Sequence, residues 1–403
     1  MRILVWQWGR RGAGPRVAAE LAAGLRTVPG QTVFLSLSTR AEILTMLDGP
    51  TCALPVVTYD GLVGFLFRAL LSPLTIWPLL RRLRALAPDV AICAMPGPLD
   101  LMMVWALRRL GVKIVVTVHD ADLHPGDGFP LQMALQRRLI RRADALVALT
   151  GHVAVRLRQQ PAARNKPLLT ASLPPLVFGA PPPPPLAHGG PMRLLCFGRL
   201  LPYKGLDLLE AALRGMDGTL PDFEMRIAGE GPPSATLRAL ASLPHVRVEN
   251  RWVPENAVGP LIAWADAVVL PYREASQSGV AAVAIAAGRW VVATRVGGLT
   301  EQFRDERLAF LCEPDPASIR AALARLLVAP PKTSGQANDP RLAWRDVADQ
   351  LTRQISAALF KDWGSAPNPA KGLPLLGGRP HGIAMRAKVW LLKVKQGSRP
   401  HGF

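Results

Sequence analysis

Acidic residues are scarcest in this 403-residue chain where its bases are densest. Residues 1–180 hold 21 Lys and Arg against 10 Asp and Glu, and residues 364–403 hold 7 against none. Residues 181–363 are nearly neutral, with 20 against 19. A net charge of +19 spread in this way implies an anionic partner for the first half and the tail. Cysteines are few and scattered: Cys52, Cys93, Cys196 and Cys312 form no C-x-x-C pair, which excludes a disulfide framework or a zinc ribbon and suits a reducing compartment. No stretch is long and apolar enough to span a bilayer. The most apolar window, residues 62–80, is broken by Arg68, Pro73 and Pro78, and its uncharged run falls well short of the roughly 20 residues required. The plain reading of this window is a buried or half-buried helix. Because Arg81, Arg82 and Arg84 follow at once, the other reading is a surface that touches lipid. The opening MRILVWQWG lacks the basic region and cleavage site of a signal peptide, so the expected location is cytoplasmic, peripheral at the inner membrane face. No zinc-finger spacing, RNP-like aromatic strand or basic zipper accompanies the charge. The expected anionic partner is therefore a membrane surface and not nucleic acid.

What is present is a globular composition, 49% hydrophobic and 19% charged, on a chain too long for one core. Short apolar runs alternate with helical patterns. Strands are expected at residues 3–6, 32–36, 90–94, 114–118 and 145–148, then at 192–197, 224–228, 246–250, 267–270 and 290–294. Continuous apolar strands separated by helix-length segments imply parallel sheets covered on both faces, so the fold class is α/β with two doubly wound domains. The five-proline run Pro181–Pro185 marks the break, and residues 174–190 are expected to form a stiff interdomain linker; a ligand for an SH3-type module is the other use of such a run. The expected boundaries are 1–173 and 191–340 for the domains, 341–363 for a terminal helix and 364–403 for a basic low-complexity tail. Residues 342–359 show helical periodicity, expected to close the second domain, and residues 385–394 mix apolar and basic side chains as an interfacial segment would.

Paired doubly wound domains bind ligands at the carboxyl ends of their strands, in the crevice between them. The first strand runs into QWGRRGAGP, where Gly9, Gly12 and Gly14 allow close backbone approach to an anion; an ordinary tight turn is the equal alternative. Its spacing is neither a dinucleotide fingerprint nor a P-loop. The strand 114–118 ends in HDADLHPGD, crowding His119, Asp120, Asp122, His124 and Asp127 at one exit in a carboxylate-poor half. Asp120-x-Asp122 admits a divalent-metal reading, and Asp120 as a turn cap is a third. The strand 192–197 ends in Gly198-Arg199 and reaches Lys204-Gly205 just before a helix, an arrangement of amides, dipole and bases that suits a diphosphate. The strand 267–270 leads to Glu274, Gln277, Ser278 and Gly279, with Ser278 and Gly279 opening a small-residue helix and Glu274 placed to accept from hydroxyls. After the last strand, Gly297-Gly298 permits close approach and Glu301 could meet another hydroxyl; a turn-forming Gly-Gly is the alternative.

In this order the second-half segments FGRLLPYKGLDLLEAAL and LPYREASQSGVAAVAIAAGRWVVATRVGGLTEQF, joined by VVTVHDADLHPGD, resemble family-4 retaining glycosyltransferases of the GT-B fold. RLAWRDVADQLTRQIS matches more loosely. The resemblance implies two Rossmann-like domains facing a cleft, an acceptor-binding one at 1–173 and a nucleotide-sugar-binding one at 191–340. It implies that Arg199 and Lys204 hold the donor diphosphate and that Glu274 is the first acidic residue of the E-x7-E element, contacting the donor sugar. It further implies that Ser278 and Gly279 give amides to phosphate and that His119 approaches the sugar ring, with Asp120 orienting. Gly12, Gly14, Gly198, Gln277 and Glu301 complete the expected donor site. One departure stands out: the second glutamate of the element falls on Val283, or on Ala282 by strict spacing, so either ribose recognition is altered or the enzyme is weakened.

The implied activity is hexosyl transfer from a nucleotide sugar to a glycan or lipid-diphosphate-linked acceptor, in cell-surface or exopolysaccharide synthesis. The configuration is retained, no metal or other cofactor is required, and the donor is a substrate. Readings that share the fold are a sugar-nucleotide epimerase, a phosphorylase, and a catalytically silent member acting as an assembly or regulatory subunit.

Overall fold

The structure, a computed structural model, describes residues 1–360 apart from 129–130, 217–219, 305–306 and 332–338. The expected basic tail, with its segment 385–394, and residues 361–363 of the expected terminal helix lie outside the described residues.

In chain order the first six strands are β1 (Arg2–Gln7), β2 (Thr32–Leu37), β3 (Val90–Cys93), β4 (Lys113–Val118), β5 (Ala145–Ala148) and β6 (Leu168–Thr170). The next six are β7 (Met192–Phe197), β8 (Phe223–Gly229), β9 (Val246–Asn250), β10 (Ala267–Leu270), β11 (Trp290–Thr294) and β12 (Ala309–Cys312). They form two six-stranded sheets, ordered β2-β1-β3-β4-β5-β6 and β12-β11-β10-β7-β8-β9, in which every pairing is parallel. The order switches between β1 and β3 and between β7 and β10, which places a crevice at the carboxyl ends of those strands. Edge strands β6 and β12 were not expected from sequence. They are short, with 3 and 4 residues, and their side chains are only partly buried, unlike the fully buried β3, β5 and β10.

Side chains alternate along each strand between two faces, and both faces are filled. In β1, Ile3 and Val5 enter one apolar cluster and Leu4 and Trp6 another, all four fully buried. In β7, Leu195 and Phe197 enter that same first cluster, while Leu194 and Cys196 face a third. Each sheet thus has a core of its own on one face and shares a continuous core with the other sheet on the opposite face. Through this sharing the described residues form a single compact unit.

The helix Pro340–Leu359 contributes to the sharing. It was expected to close the second half, but it crosses back and packs on the helix Ala13–Arg26 of the first. Its buried stripe Trp344, Ala348, Leu351 and Ile355 joins the common core. Close approach depends on Gly24, where a Cβ would lie 2.6 Å from the Trp344 carbonyl oxygen. Gln350 and Gln354 also bond the backbone of Thr170, satisfying the open edge of β6.

The expected linker 174–190 has no regular structure, yet it is pinned along its length. Leu176 is buried and its amide donates to the Ala282 carbonyl at 3.1 Å. Farther on, buried Asp266 accepts from the Leu186 amide at 2.6 Å, from His188 Nε2 at 3.0 Å and from the Arg193 amide at 2.7 Å.

The apolar window 62–80 falls within two helices, Gly61–Leu70 and Ser72–Leu86. The expected half-buried helix holds on one side, where Phe65 and Ile76 pack on the core and Leu79 and Leu80 are buried; the other side is open. Val63, Leu66, Phe67, Leu70, Leu74 and Trp77 form a stripe at three- and four-residue spacing that is 59–81% exposed. The sheet face behind it is already covered by Leu79, Leu80 and Leu83 and by the helix Asp100–Arg109, leaving the stripe nothing to pack against. Arg81 and Arg84 continue the same stripe with charge.

Candidate functional site

The exits of β4, β5, β7 and β10 meet, and side chains from the two halves bond directly across the meeting point. His119 follows β4 and is 4% exposed. Its Nε2 lies 2.9 Å from the Ala94 carbonyl, which assigns the proton to that nitrogen, so Nδ1 accepts from Gln277 Nε2 at 2.8 Å. Burial lowers its pKa, which keeps the ring neutral as this tautomer requires. Both ring nitrogens are thereby engaged.

Asp120 accepts from His124 Nε2 at 3.1 Å, and His124 Nδ1 donates to Glu274 Oε1 at 2.8 Å. One imidazolium bridges a carboxylate from each half. Burial would lower the pKa of His124, but the bonds to Asp120 and Glu274 prevail and raise it. Burial likewise works to raise Asp120, and His124 with His119 and Ser276 brings it below its ordinary value. The His124 ring stacks on Tyr203, with centroids 4.6 Å apart. Asp122 turns away to Arg156 at 2.7 Å. The pair Asp120-x-Asp122 therefore points at different partners, and among the described residues no cluster of three or more His, Cys, Asp or Glu is arranged to hold a metal ion.

At the exit of β7, Gly198 has φ +112°, and Arg199 reaches across to form an ion pair with Asp127 of the first half. Lys204 has a different setting. Its Nζ sits 3.7 Å from the centroid of the Tyr272 ring and 4.9 Å from that of Tyr203. Among the described residues no carboxylate pairs with it. Burial first, and the Arg199 charge second, pull its pKa from 10.5 down to about 7. The next residue, Gly205, has φ +65°, and a Cβ there would lie 1.9 Å from the Pro271 carbonyl oxygen. Only glycine lets the β7 and β10 exits touch at that point.

The helix Gly279–Ala286 begins beside this loop. Ser278 caps it, its Oγ accepting from the Ala281 amide at 3.2 Å and lying 3.3 Å from the Tyr272 hydroxyl. The Ser278 amide, expected to be available to a ligand, donates instead to Gln302 Oε1 at 2.7 Å. A Cβ on Gly279 would stand 3.4 Å from Ala13 Cβ, and one on Gly198 3.3 Å from Val280 Cγ2. The first-half glycine loop, the Arg199–Lys204 loop and this helix start therefore adjoin. Gly12 (φ +78°) caps the helix Ala13–Arg26, and a Cβ on Gly14 would lie 2.7 Å from Gln7 Nε2. Ala282 and Val283, in the slot of the second glutamate, are buried in the shared core.

Glu301 lies apart from the group. Its two oxygens accept from the Gly151 amide at 2.7 Å and the His152 amide at 2.8 Å. It caps the helix Gly151–Gln159 of the first half, where helical amides lack partners within the helix.

Two families match the chain. The one described as Glycosyl transferases group 1 covers residues 191–328, and the one described as Glycosyltransferase Family 4 covers residues 15–167. The chain belongs to these glycosyltransferases. Among relatives, the D-inositol 3-phosphate glycosyltransferase of Segniliparus rotundus is 30% identical over 287 residues, 63% of this chain and 63% of that protein. The GDP-mannose-dependent alpha-(1-6)-phosphatidylinositol monomannoside mannosyltransferase of Mycolicibacterium smegmatis is 33% identical over 149 residues, 34% of this chain and 39% of that one. Each match thus spans less than two thirds of the relative. The solved structure of Anabaena Alr3699/HepE in complex with UDP and glucose superimposes with a TM-score of 0.64 at 17% identity, covering 89% of this chain and 99% of that one, which shows that the fold is GT-B.

For this family 4 chain, sequence reasoning does not single out Tyr203, Tyr272 or Gln302, and it gives His124 and Asp127 only as members of a cluster. The tyrosines carry a local signal, since each follows a proline at a strand exit, in PYK and PYR. Gln302 carries none; its bond to Ser278 spans 24 residues.

Proposed function

We propose that the chain transfers a hexosyl group from a nucleoside-diphosphate sugar to a hydroxyl of a glycan or lipid-linked glycan, with retention of configuration. The observation that carries this reading is Lys204, a half-buried base without a carboxylate partner, beside Arg199 and the capped start of the helix Gly279–Ala286. A cation held there is costly until an anion arrives, and a donor diphosphate is that anion. As the bond from the anomeric carbon to the phosphate oxygen breaks, the leaving diphosphate takes the electron pair. Lys204, Arg199 and the Gly279 end of the helix stabilise the growing charge. The acceptor oxygen bonds the same face of the anomeric carbon, and its proton passes to the departing phosphate.

In this reading Arg199 exchanges Asp127 for the donor, and Glu274 exchanges His124 for sugar hydroxyls. His119, positioned by Gln277, faces the sugar ring, and Asp120 orients. Gly12, Gly14 and Gly198 let the backbone close on the phosphates, whereas Glu301 serves the junction between halves. The bases do what a divalent ion would do, so the proposal requires no metal.

The acceptor is taken to be lipid-linked and to be met at an anionic membrane surface on the cytoplasmic side. The apolar stripe leading into Arg81 and Arg84 supports this, as does a relative named for a phosphatidylinositol mannoside. Among the described residues no helix is long and apolar enough to cross a membrane. A second reading, a silent assembly subunit, is favoured by Val283 in the ribose slot. Isothermal titration with UDP-, GDP- and ADP-sugars tests both. Saturable binding of one donor, lost in Lys204→Ala, is expected; no binding of any donor would overturn the transferase reading.

A further inference from the structure

A concavity with basic walls lies beside the strand-exit site. It is a groove of about 780 Å³ between the helices Gln132–Arg142 and Gly151–Gln159, within the size range of ligand sites. Arg137, Arg141, His152 and Arg156 line it, with Asp122 at one end and Pro161 and Ala162 at the other. A second groove of about 390 Å³ adjoins it, sharing Arg141 and lined also by Leu101, Trp105, Arg138 and Arg142.

The charge here is uncompensated. The helix Gln132–Arg142 contains four arginines and no acidic residue. Arg137 faces Arg141, and Arg138 faces Arg142, at the i,i+4 spacing where like charges repel. Among the described residues none of these four has a carboxylate partner; Asp122 neutralises Arg156 within the groove at 2.7 Å, and Asp144 pairs with Arg108 at 3.1 Å. Guanidinium groups on a concave wall suit phosphate, which they grip by paired hydrogen bonds.

The groove borders the exits of β4 and β5. Asp122 is two residues from Asp120, and Gly151 and His152 bear the amides that bind Glu301. At its far side the second groove is walled by Trp105 and Leu101 of the helix Asp100–Arg109, which packs against Ser72–Leu86, one of the two helices bearing the exposed apolar stripe.

We infer that these joined grooves hold the acceptor through a phosphate or diphosphate group, with Arg137 and Arg141 as its main contacts. The inference rests on the glycosyl-transfer reading, and Arg137 and Arg141 determine acceptor specificity without touching the donor. A lipid-linked diphosphate and a soluble phosphorylated glycan present the same group, and the test separates them.

The full chain carrying Arg199→Ala and Lys204→Ala, whose strand-exit bases no longer compete, is titrated with inorganic pyrophosphate and with farnesyl diphosphate, then again after adding Arg137→Ala and Arg141→Ala. Binding that survives the first pair and weakens at least tenfold on adding the second supports the groove. Farnesyl diphosphate binding at least tenfold tighter than pyrophosphate assigns a lipid-linked acceptor, and equal affinities a soluble one. No binding in the first variant, or no change on adding the second pair, overturns the inference. Failure of the transferase reading shows separately, as donor-sugar binding that is absent or unaffected by Lys204→Ala alone. Arg137, Arg141 and Arg199 are solvent-exposed, so the fold is expected to tolerate their substitution.

Discussion

Lys204 and the arginines of the helix Gln132–Arg142 carry the same charge in opposite surroundings. The lysine is half-buried, packed on an aromatic face and has its pKa pulled down to about 7. The arginines stand in water along an open groove and keep their charge. A bound phosphate gains from both, but by different physics. At Lys204 the surrounding dielectric is low, so each contact is strong and depends on proton uptake. In the groove water and salt screen each contact, so strength comes from number. Charge in sequence therefore says where an anion can be drawn, and burial says where it can be acted upon.

The largest expected effect lies at the buried end of this contrast. Lys204→Ala should lower kcat/KM by about 10²–10³-fold in a sugar-transfer assay. The paired groove substitutions should lower it by only about tenfold, an effect that shrinks further at high salt. Equal losses in both variants would erase the distinction between the two sites.

Next in size is the membrane stripe. Replacing Leu66, Phe67 and Trp77 with serine removes three exposed apolar anchors, each contributing about 1 kcal/mol when its open side is covered at a lipid interface. Flotation with anionic vesicles should fall by on the order of 10²-fold while thermal stability holds, because these side chains support no core.

A smaller effect with an informative sign follows from the lysine's pKa. Folding lowers it from 10.5 to about 7. Between those values the unfolded chain holds a proton that the folded chain does not, so stability rises with pH across that window. Lys204→Met should remove this rise and stabilise the ligand-free protein at pH 7 by about 1–3 kcal/mol, read as a higher Tm. A lower Tm would mean that the ammonium has a partner after all.

The smallest effect belongs to His124. Its pKa is raised on folding, so the bridge between Asp120 and Glu274 is fully present below the ordinary histidine value and fades as pH rises through the raised one. Hydrogen exchange in residues 119–128 should quicken across that rise, and His124→Gln should be fast and flat at every pH.

Much of this protein was legible in its sequence because apolar patterning acts locally. Val268 and Val269 point to opposite faces whatever lies beyond them, and continuous apolar strands sufficed to indicate two parallel sheets. The glycines and bases at strand exits were legible for the same reason, since a turn or a helix start is built from adjacent residues. The strands β6 and β12 were not, being edge strands whose side chains are only partly buried. Nor was the partner of a polar group: Glu274 meets a histidine 150 residues away, and Glu301 an amide equally distant.

The sequence by itself determined the two sheets, their order of elements and the placing of bases at strand exits, because backbone geometry and side-chain burial are properties of neighbouring residues. Only the tertiary structure decided that Val63, Leu66, Phe67, Leu70, Leu74 and Trp77 face water, that the helix Pro340–Leu359 returns to the first half, and that Lys204 is left without a carboxylate partner. Exposure and pairing depend on which surfaces are already covered, and that is settled only when distant segments compete for the same space.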